Sequence, residues 1–381
     1  PLLFIPITLA HENLPEDKAH ARELHGAKKV QEKPSQILKI FSLFNRKLGT
    51  IDVRLHQPIK AGAFTDLKKR TQEISFECFL AVGKGMPITP SSLVAYIMLE
   101  ASSGGLTWED IKTRSIKIVN YAVKLNIPIS DSFLKGDQLR ATLRALNNFV
   151  DNNKITKLNE SLIGEDVYIV EEKNRQELIY YKNMILHHFL VPHFMSGAIA
   201  KLMHQEFTGM EGLQKYLIEQ RRRLKHEFYL PSFKETLNEA LMIMSLALNK
   251  EVHSLQQAFE LRGREIAQIS DFISPFKNSY RYIYEAYYLA IKGVQYSNPT
   301  GFSEDQFITL IKGIFSTEIL HNTTVKYPES FIVPIIKNCL VYLEHLHIIE
   351  QKNAKTWVLI DSGKLNELKD SVLNDLAIFD K

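Results

Sequence analysis

From about residue 65 onward the apolar side chains of this 381-residue chain recur at helical spacing, interrupted only by short strand-like pieces. A stripe that returns every three to four residues is buried most readily against other helices, so the bulk of the chain should be a helical packing. Thr89-Pro90 marks one helix start, and "SLVAYIMLEA" reads as an apolar helix that stops at Gly104-Gly105. Thr107 is the expected N-cap of the next helix, with Glu109 and Asp110 in a first turn that favours carboxylates. A further helix over Gln138–Val150 runs into "DNNKITKLN", and "EDVYIV" follows it as a strand. Three helices and then a two-stranded wing have the outline of a winged helix. The outline returns near the C-terminus, where "SEDQFITLIKGIFS" and "ESFIVPIIKNCLVYLEHLHII" read as helices and "IIEQKNAKTWVLID" as a hairpin around Lys352-Asn353. Between the two, long helices are expected over about Leu178–Lys250 and Leu255–Lys292. The second carries "SYRYIYEAYYLAI", whose tyrosines suit packing on a neighbour as readily as binding.

The first 60 residues follow a different pattern. Residues 2–9, Leu-Leu-Phe-Ile-Pro-Ile-Thr-Leu, form a short apolar run of the kind covered on both faces in a parallel sheet. Pro6 cannot donate to a ladder, which points to an edge or a strand end. A polar helix is expected around Pro15–Leu24, then an amphipathic one from about Ser35 to Leu48 closed by Gly49. "TIDVRLHQPI" then alternates as a strand, with Ile51, Val53 and Leu55 on one face. Two strands separated by helix predict a right-handed βαβ crossover. The expected fold is therefore mainly α with a small α/β part. Residues 1–60 form the end of an α/β domain, and 61–381 a helical region with two winged-helix-like hairpins and a sub-boundary near 171.

Composition narrows the function classes. With 45% hydrophobic and 24% charged residues the chain should be globular, and a net charge of +4 permits an anionic partner without demanding one. Cys78 and Cys339 form neither a disulfide framework nor a metal spacing, so a reducing compartment is expected and no cofactor or metal. No run reaches the ~18 apolar residues that span a bilayer. Met184–Met203, the best candidate, is interrupted by His187, His188, Pro192 and His193 and reads as a buried or interfacial helix pair. No signal peptide is visible, and the missing initiator methionine reads as a cut, with further chain upstream.

Four stretches could carry chemistry. His11 followed by Glu16 has the wrong residue for a His/Asp base pair and reads as a surface histidine and a first-turn acid; none of the 13 histidines has Asp five residues on. "ELHGAKKVQEKP", Glu23–Pro34, could offer Lys28, Lys29 and Lys33 to a phosphate, and a solvated loop looks the same. Lys182, Asn183 and His187 could hold a substrate or metal, but no carboxylate is interleaved and satisfied core polars are favoured. Arg221, Arg222, Arg223 and Lys225 form either a solvated helix end or a contact for anionic headgroups. There is no Gly-rich phosphate loop, GxSxG elbow, HExxH or zinc spacing.

Several short blocks, in order, resemble the glycerol-3-phosphate and dihydroxyacetone-phosphate acyltransferases. "FIPITLAHENLPE", "ELHGAKKVQEKPSQIL" and "LGTIDVRLHQPI" are similar to the segment that follows that family's catalytic blocks. The matching residues are Ile5, Pro6 and Ile7, then Glu23, Leu24, Gly26, Lys29 and Glu32, then Gln57 and Pro58. "TPSSLVA", "LTWEDI" and "YYKNMILHHFLVP" resemble its C-terminal helical region, through Tyr180, Tyr181, Lys182, Asn183, His187 and Pro192. His56 stands where the family usually has Gly or Ala.

The resemblance implies a role in moving a fatty acyl group from acyl-CoA or acyl-ACP to the sn-1 hydroxyl of glycerol 3-phosphate, or of dihydroxyacetone phosphate, in phospholipid biosynthesis. It places the His-x-x-x-x-Asp and Gly-x-Arg blocks upstream of Pro1, so no catalytic residue is expected in this chain, which alone should be inactive. Ile5, Pro6 and Ile7 would help to line the substrate site and Lys29 would support phosphate binding. A membrane-associated protein is implied, at a bacterial inner membrane or a mitochondrial or peroxisomal one, with Arg221, Arg222, Arg223 and Lys225 toward the anionic surface. The rival is a non-catalytic helical module binding protein or nucleic acid. Nucleic acid is not expected, because Gln138–Val150 offers only Arg140 and Arg144, and Ser330–Ile349 only Lys337.

Overall fold

The computed structural model describes residues 2–14, 17–27, 49–62, 66–101, 104–159, 164–207, 209–353 and 356–380. These divide into two compact units: the first draws on 1–21, 28–191 and 229–252, the second on 22–27, 192–228 and 253–381. Helices dominate both, and every sheet is small.

The first unit opens with β1 (Leu3–Phe4) and β2 (Ile7–His11); β3 (Ile51–Leu55) and β4 (Ile59–Lys60) pair with them, β1 with β4 and β2 with β3. Both pairings are antiparallel, with Ile7 opposite Leu55 and His11 opposite Ile51. This corrects the parallel, doubly covered strand and the βαβ crossover expected from sequence. An uninterrupted apolar run does not say which residues face inward, and here the alternation is inverted. Thr8 and Ala10 are buried, whereas Ile7, Leu9, Ile51, Val53 and Leu55 are 48–72% exposed. The helix expected over Ser35–Leu48 lies outside the described residues. Gly49, read as its C′ residue, has φ +75°, and a Cβ there would press on Glu12.

After the ribbon come α2 (Leu67–Gly85) and the apolar α3 (Pro90–Glu100), the buried spine of this unit. Thr89 caps α3 in a capping box with Ser92. Next are β5 (Leu106–Thr107), α4 (Trp108–Lys124), α5 (Asp131–Leu134), α6 (Gln138–Asp151), β6 (Thr156–Leu158), β7 (Val167–Ile169) and α7 (Glu172–Leu186). Thr107 and Asp110 cap α4 as its sequence predicts. The three strands form an antiparallel sheet in the order β5-β7-β6.

The long helices expected over Leu178–Lys250 and Leu255–Lys292 are broken into shorter ones. A 3₁₀ turn at His187–Phe189 separates α7 from α8 (Leu190–Met203), followed by α9 (Met210–Leu224) and α10 (Phe233–Leu248). Asn249 closes α10 in the left-handed conformation. Then come α11 (Leu255–Glu260), α12 (Arg264–Ile273) and α13 (Arg281–Tyr296), with Gly263 and Pro275 at the breaks.

In the second unit α13 is the core helix, and Tyr280, Tyr284 and Tyr287 are fully buried against its neighbours. The tyrosine-rich stretch is therefore packing. Around it lie β8 (Phe302–Ser303), α14 (Glu304–His321), α15 (Val333–His345), β9 (Ile349–Asn353), β10 (Thr356–Leu359) and α16 (Ser362–Asp380). Their sheet order, β8-β10-β9, repeats that of the first unit, with the opening strand beside the last. The hairpin expected around Lys352-Asn353 is present, with both residues at the end of β9 and Asn353 opposite Thr356 of β10. Among the described residues no helix is long and apolar enough to cross a membrane.

Candidate functional site

The ribbon carries Ile5, Pro6 and Ile7, and α7 with the turn after it carries Lys182, Asn183 and His187. Pro6 is buried on the inner face, while Ile5 and Ile7 face outward, so the three do not share one surface. The Pro6 carbonyl accepts from His56 N at 3.0 Å. Thr8 Oγ1 donates to Val82 O at 3.0 Å and lies 2.7 Å from His56 Nε2. With the hydroxyl proton committed to Val82, the ring nitrogen must donate. The His56 ring fills the space beside Gly85, where a Cβ would lie 1.9 Å from His56 Cε1. Arg54 donates to Ile129 O at 2.8 Å and pairs with Asp52 at 2.9 Å.

The motif on α7 fastens the other end of the ribbon. Tyr181 is fully buried, and its hydroxyl accepts from Leu14 N at 2.9 Å with Lys154 Nζ at 3.5 Å. Burial pushes Tyr181 up to about 12, so the phenol stays protonated at neutral pH. Tyr180 packs edge-on against His20. Lys182 is buried in an ion pair with Glu100, and Arg175 caps the end of α3 through the Leu99 and Ala101 carbonyls. His187 bonds Gly83 O at 2.6 Å and His188 bonds Met86 O at 2.8 Å, closing the C-terminal turn of α2. Burial depresses both histidines, His187 to about 4, so they are neutral donors here. Lys182 and His187 are satisfied core polars, and Asn183 points away from them as an exposed residue.

A groove of about 1150 Å³ runs beside β3, lined among others by Val53, Leu55, Ile129, Ser130, Leu134 and Lys135. Its cations are already neutralised, Arg54 by Asp52 and Lys135 by Asp131, so it offers little to a phosphate. Among the described residues no group of three or more His, Cys, Asp or Glu could hold a metal.

Lys28, Lys29 and Lys33 lie outside the described residues, as does Glu16 of the His11/Glu16 pair. The basic cluster is corrected in one member. Arg223 is buried, paired with Asp375 and bonded to Ser371 Oγ at 3.0 Å, so it cannot face a membrane. The buried stripe of α9 runs Leu213, Tyr216, Leu217, Gln220, Arg223 and Leu224, and that spacing in the sequence was the available signal. Arg222 and Lys225 remain exposed. The roles of Thr8 and His56 were missed; the only sign was one hydroxyl within an apolar run.

The family comparison covers the motif on α7 and the block that forms β3. Residues 20–352 match the family described as the glycerol-3-phosphate acyltransferase C-terminal region. A glycerol-3-phosphate acyltransferase of Pseudomonas fluorescens strain Pf-5 is 25% identical over 218 residues, covering 52% of this chain and 25% of that protein. Another, from Pseudomonas putida strain W619, is 22% identical over 268 residues, covering 63% of this chain and 30% of its own length. The matched part of this chain thus spans only a quarter to a third of these curated relatives. With a match across most of its length, this chain belongs to the family of glycerol-3-phosphate acyltransferase C-terminal regions.

Proposed function

We propose that this chain is the C-terminal part of an enzyme that transfers a fatty acyl group from acyl-CoA or acyl-ACP to the sn-1 hydroxyl of glycerol 3-phosphate, the catalytic His/Asp block lying upstream in a longer polypeptide. The observation that carries the reading is the inverted ribbon. Its small and polar residues pack on the helices, and Ile7, Leu9, Ile51, Val53 and Leu55 form one outward apolar face. Such a face marks a contact surface. It suits the end of an α/β acyltransferase domain whose other strands cover it, with Ile5 and Ile7 toward the substrate site. In the reaction, a base removes the glycerol hydroxyl proton as the oxygen attacks the thioester carbonyl, and the thiol leaves. Nothing in this chain is asked to do that step. Dihydroxyacetone phosphate is the alternative acceptor, and Lys29 keeps its proposed place near the phosphate.

The two helix–sheet assemblies, each with its first strand beside its last, support reading them as winged-helix-like packing units. A nucleic-acid role has little behind it, since Lys337 on α15 is paired with Glu304 and α6 shows only Arg140 and Arg144. Membrane association through Arg222 and Lys225 belongs to the same proposal, at a bacterial inner membrane or an organellar one.

The test is acyl transfer from palmitoyl-CoA and palmitoyl-ACP to glycerol 3-phosphate and to dihydroxyacetone phosphate. The longer polypeptide should form the 1-acyl product, and the 381-residue chain should form none. Turnover by the isolated chain, or none by the longer one, would contradict the proposal.

A further inference from the structure

Ile5–Ile7 joins β1 to β2, with Ile5 and Pro6 outside either strand and Ile7 opening β2, and hydrogen bonds to it and to the chain on both sides of it hold it in place. Upstream, Ala61 N bonds Leu2 O at 3.1 Å and keeps β4 against β1. At the centre, His56 holds the segment twice, by its own N–H on the Pro6 carbonyl and by its ring on Thr8 Oγ1. Thr8 passes the connection to Val82 O in α2. Downstream, Leu14 N ends on the Tyr181 hydroxyl, inside a cage of Phe149, Tyr180 and Lys154. The α2 turn that receives Thr8 is itself fixed by His187 and His188. The bonds of the Thr8 hydroxyl, the His56 ring, Leu14 N, His187 and His188 are half-buried, where a lost partner leaves a polar group unsatisfied rather than returned to water.

We infer that Thr8, His56 and Tyr181 are positioning residues for acyl transfer, which fix the Ile5–Ile7 segment from the helical side. The assignment rests on the reading that Ile5 and Ile7 face the substrate site. None of the three meets the reacting atoms. They set where the outward aliphatic side chains stand, and a displacement of about 1 Å in such a wall can cost up to ~100-fold in rate.

Tyr181→Phe is the least disruptive perturbation, because the ring packing and the Lys182–Glu100 pair survive and the losses are the acceptor for Leu14 N and the 3.5 Å contact with Lys154 Nζ. In the 381-residue chain, hydrogen exchange at the Leu14 amide should quicken about fivefold, with the amides of α3 and α7 unchanged. In the longer polypeptide, Tyr181→Phe and His56→Ala should alter the ratio of kcat/KM for palmitoyl to oleoyl donors by about threefold or more. A purely structural role would lower activity on both donors in proportion to the folded fraction and leave the ratio untouched. Unchanged Leu14 exchange, or an unchanged ratio in an active enzyme, overturns the assignment alone. A wild-type longer polypeptide that does not acylate glycerol 3-phosphate removes the functional reading and this assignment with it.

Discussion

Asp375→Ala should be among the most damaging single substitutions in the second unit. Arg223 and Asp375 are 3% and 5% exposed, and the carboxylate also accepts from Gln220 Nε2 at 2.9 Å. Arg223 further lies over the Tyr284 ring at 5.4 Å. Removing the carboxylate leaves a guanidinium buried among Tyr284, Ser371 and apolar side chains with no opposite charge, a change that costs about 3–5 kcal/mol. Whole domains are stable by only about 5–15 kcal/mol, so this is a large share. Trp357 lies in this unit and Trp108 in the other, so Trp108→Phe leaves fluorescence from the second unit alone. With a urea slope of about 2 kcal/mol per molar, the Trp357 midpoint should fall by about 2 M. The Arg223→Met/Asp375→Leu double variant should recover most of the loss, because an apolar pair of similar volume avoids the desolvation that the ions suffer. A midpoint shift below about 0.5 M for Asp375→Ala would refute the reasoning, and would return Arg223 to the list of surface cations.

Glu227 sets a pH dependence. Burial raises it from 4.5 to about 7 against its bonds to Asn338 and Tyr287, so between those values the folded state holds the extra proton and stability falls as pH rises. Glu227→Gln should gain stability at pH 8 by a few kcal/mol and lose that part of the slope, read as urea midpoints from pH 4.5 to 8; a slope equal to wild type removes the account. Gly85→Ala drives a methyl into the His56 ring and should cost about 1–3 kcal/mol, with His56→Ala in the same chain restoring part of it; an additive double variant would deny the contact. Arg222→Glu/Lys225→Glu should weaken binding to phosphatidylserine-containing vesicles by about 2 kcal/mol or more at low salt, while an unchanged affinity would detach those residues from any membrane.

The helical class was legible because caps and stripes are local signals. Thr89 and Thr107 each cap the helix their sequence announces. The second-unit hairpin was legible from its spacing, and the tyrosine-rich helix was recognised without its role being fixed. Helix breaks were not, since His187–Phe189 carries no glycine and its 3₁₀ turn depends on bonds from His187 and His188 to a distant helix end. The ribbon failed for another reason. An apolar run with no polar alternation is equally compatible with two covered faces and with one face packed and one displayed, and only the partners of Thr8 and Tyr181 decide which. Of the candidate site, Ile5, Pro6 and Ile7 were proposed only through their resemblance to family blocks. Thr8 and His56 act through contacts with Val82 and Gly85 that no spacing in the sequence encodes.

The account stands or falls on what covers the ribbon face. Val53 is 59% exposed on it, and Cys78 is the one accessible native thiol among the described residues, so Val53→Cys in a Cys78→Ser background gives a single reporter. The measurement is its rate of maleimide labelling in the 381-residue chain and in the longer polypeptide. Labelling should be rapid in the first and slowed by about tenfold or more in the second, where the strands of the proposed acyltransferase domain would lie over β3. Equal rates in the two would contradict it.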